Sequence, residues 1–204
     1  MSEAACDEAL RKTKSQHKCK LWHELRYGCI TASKAYESAQ CQTMHGSLVD
    51  CILGVSSLKD TNAMKCGKKL EHEVRQLVEK KLGVVIQQCG FHTSPDRPIM
   101  GASPDGLSDE YVYEIKCPTS EKAMKNCIVS DGNVVTQHYA QIQMQMYFAK
   151  KQKGLFCVAN RDFESSKKIS MHLVNFDAIF CEELMEKCTK FWETAIFSVL
   201  EHYK

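Results

Sequence analysis

The sequence predicts a mixed α/β (α+β) fold in which a central mixed β-sheet is flanked by helices. Three observations carry this reading. Apolar residues recur at helical spacing between Asn62 and Leu82. Residues 111–116, YVYEIK, alternate with period two, as a strand packed on one face does. Taken along the chain, these periodicities give the order helices, three strands, helix, two strands, helix. At 204 residues the chain can bury a substantial core, and it reads as one domain over 1–204 without a linker or repeat.

The elements follow in order. The first dozen residues are polar and are expected to be loose. Helical material runs from Lys14 to Leu82, interrupted near Gly28, Gly46 and Gly54. Its best helix spans Asn62 to Leu82, where Leu70, Val74, Leu77, Val78 and Leu82 form an apolar stripe. Gly83 is placed to end it. Strands are expected at Val84–Phe91, Ile99–Leu107 and Tyr111–Cys117. A loop from Pro118 to Val135 then leads into a helix over Thr136–Lys151. Two further strands, Leu155–Ala159 and Lys168–Asn175, precede a long amphipathic helix from Asp177.

Composition narrows the function classes. A net charge of +2 provides no global attraction for a polyanion, so any nucleic-acid affinity must be local. Arg11, Arg26, Arg75, Arg97 and Arg161 are the only arginines, which makes each a candidate for a specific contact. The 12 cysteines include no CxxC pair, which argues against a zinc ribbon or a cluster with paired ligands. No signal peptide, N-x-[ST] site or 18-residue apolar run is visible. The expectation is a chain without a membrane partner, in a reducing cytoplasm or nucleus, with its cysteines used as small apolar residues.

The stretch GASPDGLSDEYVYEIKCP, residues 101–118, carries the chemistry. Period two sets Glu114 and Lys116 on one face of a strand and Tyr113, Ile115 and Cys117 on the other. With Asp109 and Glu110 as a tight turn, Asp105 faces Glu114 across the hairpin, at a Cβ separation of about 4.5–5.5 Å. Two carboxylates that close repel one another unless something compensates. A hard divalent cation does so, Mg²⁺ with Mn²⁺ as substitute, and Lys116 could then stabilise charge in the transition state. Surface hairpins can also hold an acid, a short gap and E-x-K. His72-Glu73 begins a zinc-protease HExxH motif, but Gln76 stands at its fifth position.

Pro104-Asp105 and Glu114-Ile115-Lys116 together resemble the PD-(D/E)XK nuclease signature. More narrowly, SPDGL, EIKCP and YAQIQMQMYF are similar to the lambda-phage exonuclease and YqaJ-type viral recombinase family. LRYGCITASKAYE resembles that family's other signature, L-R-x-G-x-I-T-A-S. The likeness runs over about residues 21–160, and it implies a restriction-endonuclease-like core. It also implies that Asp105, Glu114 and the Ile115 carbonyl are metal ligands and that Lys116 is the catalytic lysine. The helix ahead of the sheet would contribute an acid, for which GKKLEHEVR offers Glu71. Glu73 is as good a choice by sequence alone.

By the same resemblance, Arg26 and Ser33 bind a 5′-terminal phosphate, with Thr31 presenting a second hydroxyl at a helix start. The bland reading has Thr31 or Ser33 only capping that helix. Ser103, by its place in the SPDG turn, is a further candidate for a phosphate contact. Gln141 and Gln143 are candidates for touching DNA or orienting the site, and Gln143 to Tyr147 also fits the Q-x-x-x-Y spacing of RecB-type nucleases. His138 and Tyr139 compete for an aromatic position just before them.

The expected activity is Mg²⁺-dependent 5′-to-3′ exonuclease action on duplex DNA ends in recombination or end processing. A second ion near Glu71 would assist the leaving oxygen. Such enzymes pair with a single-strand annealing protein and can form trimers. The alternatives are a single-strand-specific or endonucleolytic nuclease of the same fold, an RNA-cleaving one, and a catalytically silent DNA-binding module.

Overall fold

The structure, a computed structural model of the 204-residue chain, describes residues 1–55, 62–129 and 132–202, with positions 62–66, 68 and 202 as backbone only. The expected helical run and the expected 118–135 loop each cross positions outside that set, 56–61 and 130–131.

The N-terminal dozen residues are a helix, not a loose segment: α1 spans Glu3–Lys12. The Ser2 side chain accepts from Ala5 N at 3.3 Å, and Glu3, Arg11 and Lys12 complement the helix dipole. What composition could not reveal is where Cys6 and Ala9 go, and both are buried. Fully buried Thr13 ties the helix end to the chain ahead of the sheet. Its Oγ1 donates to Ala9 O at 2.7 Å and accepts from Phe91 N at 2.8 Å. A Cβ at Gly90 would lie 2.1 Å from Leu10 O, so only glycine permits this approach.

Next come α2 (Lys20–Arg26), β1 (Ile30–Thr31), α3 (Ala32–Gln40), α4 (Ser47–Ile52) and α5 (Asn62–Leu82). Gly83 stops α5 with φ +66, and its N–H bonds Glu79 O. Of the predicted stripe, Leu70, Val74 and Val78 are buried, while Leu82 is exposed.

Val84–Phe91 does not form the expected strand. Gln87 makes one bridge to Leu107, and nearby backbone groups are satisfied by side chains. Glu79 Oε1 accepts from Ile86 N at 2.8 Å, and Gln16 Nε2 donates to both Cys89 O and Pro104 O. The expected 99–107 strand is two short ones, β2 (Met100–Gly101) and β3 (Gly106–Leu107). Pro104, with no N–H, lies between them.

Strands β4 (Tyr111–Lys116), β5 (Lys153–Ala159) and β6 (Ile169–Asn175) join β3 in a mixed sheet of order β3-β4-β5-β6. The β4/β5 pair is parallel and the outer pairs are antiparallel. A separate parallel pair, β1 with β2, matches Ile30 to Met100 and Thr31 to Gly101. The 118–135 connection holds a short helix, α6 (Glu121–Lys125), capped by Ser120. Helix α7 (Thr136–Ala149) follows it, and α8 (Phe163–Ser166) lies between β5 and β6.

The sheet is enclosed from both sides. Leu70, Val74 and Val78 of α5 pack with Tyr113, Ile115 and Cys157 on one face. Ile142 and Met146 of α7 pack with Val112, Phe156 and Val158 on the other. The third cluster joins α3 and α7 to α9 (Ala178–Phe191), which Asp177 caps at Phe180 N. The long C-terminal helix is interrupted by a π-turn at Trp192–Ile196 before α10 (Phe197–His202). There the Trp192 indole donates to Gly28 O at 2.6 Å.

The approach of α1 at Gly90 yields a test. Gly90→Ala overpacks a buried backbone contact, which costs about 1–3 kcal/mol, or roughly 3–10 °C in Tm for a chain of this size. Calorimetry should show that loss, with faster proteolysis near residues 13–19. An unchanged Tm would mean that α1 is not held where it is drawn.

Candidate active site

The β3/β4 hairpin sets the geometry. Gly106 pairs with Tyr113 and Leu107 with Val112, so the next pair in register is Asp105 with Glu114. This is the register expected from the sequence. Ser108 N bonds Tyr111 O, and the Ser108 hydroxyl accepts from Tyr111 N. These bonds close the loop around Asp109 and Glu110.

Period two in β4 then divides the side chains as predicted. Tyr113 and Ile115 enter the α5 side, and Glu114 and Lys116 turn toward α7. The Ile115 N–H donates to Asp105 Oδ2 at 2.7 Å. A strand residue presents its N–H and C=O to the same side, so the Ile115 carbonyl also faces Asp105, beyond the end of β3.

Glu114 is 3% exposed, and both its oxygens are engaged. Lys116 Nζ sits 2.6 Å from Oε1, and Gln145 Nε2 donates to Oε2 at 2.6 Å. The Lys116 ammonium also reaches Gln141 Oε1 at 3.4 Å. Burial alone would lower the lysine's pKa, but Glu114 and Asp105 outweigh it and hold the ammonium above its ordinary value. Burial pushes Asp105 well up, with the charges of Glu114 and Glu71 adding to it. Glu71, on α5, is likewise raised by burial, opposed by Arg75 and reinforced by Glu114. Glu73 points elsewhere and pairs with Lys167 at 2.7 Å, so of the two acids only Glu71 lies within the field of Asp105 and Glu114.

Beside these acids lies a cavity of about 170 Å³ lined by Trp22, Arg26, Thr31, Ala32, Ser33, Ser103, Gln141 and Gln145. Arg26, Thr31, Ser33, Ser103 and Gln141, remote in sequence, thus share one wall. Thr31 occupies the N-cap of α3, yet no side-chain capping bond forms there; its hydroxyl lies 3.2 Å from that of Ser33. The capping-only reading therefore fails. Arg26 lies over the Trp22 ring at 3.7 Å and has no carboxylate partner among the described residues. Burial pulls its pKa down to about 10. The Trp22 indole donates to Ser103 Oγ at 2.8 Å, which fixes that hydroxyl at the cavity.

Gln143 is the correction. It is fully buried on the far side of α7, where its Nε2 donates to Asn175 O at 2.8 Å and its Oε1 accepts from Asp177 N at 2.9 Å. It ties β6 to α9 and does not join the cavity. Of the two aromatic candidates, His138 stacks on Phe156 within the field of Lys116, and Tyr139 packs edge-on against Phe180.

Sequence reading did not assign Trp22 or Gln145 to the site, and it named Arg75 only as one of five candidate arginines, without a place beside Asp105. Trp22, Arg75 and Gln145 each stand one helical turn from a residue that was found: Arg26, Glu71 and Gln141 respectively. Arg75 is 7% exposed and its Nη1 donates to Asp105 O at 3.3 Å.

Among the described residues, no group of three or more His, Cys, Asp or Glu side chains is arranged as a ready-made metal cage. The eleven described cysteines form no disulfide with one another. No helix among these residues is long and apolar enough to cross a membrane.

Residues 2–152 match the family described as the YqaJ-like viral recombinase domain. The fold is similar to that of an alkaline exonuclease, LHK-Exo, from Laribacter hongkongensis, at TM-score 0.72 and 22% identity, covering 89% of this chain and 96% of that one. LHK-Exo in complex with dAMP gives TM-score 0.75, with the same identity and coverage. The Shutoff and Exonuclease Protein of Kaposi's sarcoma-associated herpesvirus gives 0.66 at 13% identity, covering 94% and 72%. No curated protein matched significantly.

The raised pKa of Asp105 has a direct consequence for stability. A carboxyl whose folded pKa lies above its unfolded value, about 3.9, loses stabilisation as pH rises from there through the folded pKa. Asp105→Asn removes that penalty and keeps an acceptor for Ile115 N. Without divalent cation, its Tm should therefore exceed wild type at pH 8, by about 2–4 °C per kcal/mol relieved, and converge near pH 4. Equal Tm values at pH 8 would show that Asp105 is not strained.

Proposed function

Because the chain belongs to the YqaJ-like viral recombinase domain family, we propose that it is a divalent-cation-dependent nuclease that degrades duplex DNA from 5′-phosphorylated ends. One observation supports this reading above the others. A cavity of phosphate-binding character, with Arg26, Thr31, Ser33 and Ser103 in its wall, abuts the Asp105–Glu114–Lys116 centre and shares Gln141 with it. The dAMP complex of LHK-Exo is in keeping with a nucleotide site on this fold.

The donor set suits Mg²⁺ or Mn²⁺. Asp105, Glu114 and the Ile115 carbonyl present hard oxygens, with Glu71 alongside, and Mg²⁺ is commonly held by one or two carboxylates with water filling the rest. Two facing acids, one of them held well above its ordinary pKa, are what a cation would relieve. Such a cation, when bound, lowers the pKa of a coordinated water and neutralises charge developing on the phosphate.

The chain's own residues do the rest. Lys116, kept protonated, places a positive charge where the attacked phosphate becomes more negative. Arg26 presents a planar fork to a terminal phosphate, and the hydroxyls of Thr31, Ser33 and Ser103 donate to its remaining oxygens. Partial burial strengthens these contacts by excluding water. A phosphate seated there would register the terminal nucleotide against the acids, which favours hydrolysis from a 5′ end over cutting at internal positions.

End-labelled duplexes test this. Wild type should degrade a 5′-phosphorylated duplex at least tenfold faster than a 5′-hydroxyl one, since one charge-assisted contact contributes about 1.5–3 kcal/mol. Arg26→Ala should erase most of that preference and leave cation binding intact. Glu114→Gln should abolish cleavage on both ends, and Lys116→Ala should lose rate while retaining cation affinity. Equal rates on both ends, or ready cutting of closed circles, would replace the end-dependent reading with an endonucleolytic one.

A further inference from the structure

Gln145 occupies an unusual position. Its amide nitrogen donates to Glu114 Oε2 at 2.6 Å, while the residue also forms part of the wall of the cavity that holds Arg26 and Ser33. It is 1% exposed, and its Oε1 is buried without a hydrogen-bond partner among the described residues.

The orientation of this amide follows from charge. An ionised Glu114 only accepts hydrogen bonds, so the nitrogen must face it and the oxygen must turn away. Because the amide is planar, fixing one atom fixes the other. Glu114 is thereby clamped from two elements, by Lys116 from its own strand and by Gln145 from α7. A carboxylate held by one flexible ammonium alone could rotate. The second bond, from a fully buried group on a packed helix, removes that freedom.

The unpaired oxygen adds to this. Buried acceptors almost always have a partner, and one left open beside a cavity is suited to a donor that arrives with a ligand. We propose that Gln145 is a positioning residue that fixes the orientation of Glu114 and ties it to occupancy of the neighbouring cavity. This rests on the reading of the site as a nuclease centre. A nucleic-acid end that brings a donor, such as an ordered water on its terminal phosphate, completes the amide. The amide then holds Glu114 in the geometry needed for cleavage.

Gln145→Met keeps length and bulk without the donor, and Gln145→Glu keeps size but sets a like charge against Glu114. The measurements are kcat and KM on 5′-phosphorylated and 5′-hydroxyl duplexes, Mn²⁺ affinity by electron paramagnetic resonance without DNA, and Tm. We expect Gln145→Met to lower kcat at least tenfold with KM within threefold, and to weaken Mn²⁺ binding at least fivefold. Its advantage for phosphorylated ends in kcat should also shrink, with Tm within a few degrees of wild type.

Gln145→Glu should be at least as impaired as Gln145→Met. A residue that merely packs would tolerate that isosteric change better and would lose activity only in step with Tm. If Gln145→Met fails to fold, Gln145→Glu with its own Tm and Mn²⁺ affinity decides. Variants whose kcat and Mn²⁺ affinity stay within twofold of wild type would overturn the proposal. Wild type without nuclease activity would instead sink the underlying functional reading.

Discussion

The structure depends on one constraint: two carboxylates, Asp105 and Glu114, held opposite each other by the register of a single tight hairpin. Asp105 is anchored by the Ile115 N–H and, through its own carbonyl, by Arg75. Glu114 is anchored by Lys116 and Gln145. Four contacts from one strand and two helices thus converge on a pair that repels itself. The sheet sets their distance, α5 contributes Glu71 and Arg75, and α7 contributes Gln141 and Gln145. Removing any of these elements removes a partner of the pair, which is why the fold and the site cannot be separated.

The second feature is adjacency. A cavity built from α2, the start of α3 and the turn at Ser103 opens beside the acids rather than on a remote face. The parallel pairing of Ile30–Thr31 with Met100–Gly101 accounts for this, because it brings the start of α3 next to the strand that runs into Pro104 and Asp105. Trp22 then spans the space between Arg26 and Ser103, stacking on one and donating to the other. On the proposed reading, end recognition and hydrolysis would share side chains, because Gln141 both lines the cavity and contacts Lys116.

Much of this was legible in sequence where a strict period applied. Alternation in YVYEIK gave the faces of β4, and a two-residue turn gave the Asp105–Glu114 register. The apolar stripe and Gly83 gave α5 to its last residue. The failures share a cause, dependence on tertiary partners. Residues 1–13 look too polar to fold, yet Thr13 and Gly90 create a docking place that no local pattern reveals. Val84–Phe91 has strand composition, but side chains from Gln16 and Glu79 satisfy its backbone. Gln143 was misplaced because motif likeness and the Q-x-x-x-Y spacing were weighed without the angular position of each residue on the helix expected over Thr136–Lys151. Two residues turn a helix by roughly 200°, so Gln141 and Gln145 face the site and Gln143 faces away.

If the acid pair is a cation site, cation binding must stabilise the folded chain by mass action, whatever the substrate. The direct measurement is Tm at pH 8 against Mg²⁺ concentration, for wild type and for Glu114→Gln. Wild type should gain continuously with log[Mg²⁺], by about 2.7 kcal/mol at one hundred times the Kd, and Glu114→Gln should lose most of that gain. A wild-type Tm that does not respond to Mg²⁺, or a rise equally large in Glu114→Gln, would contradict the assignment.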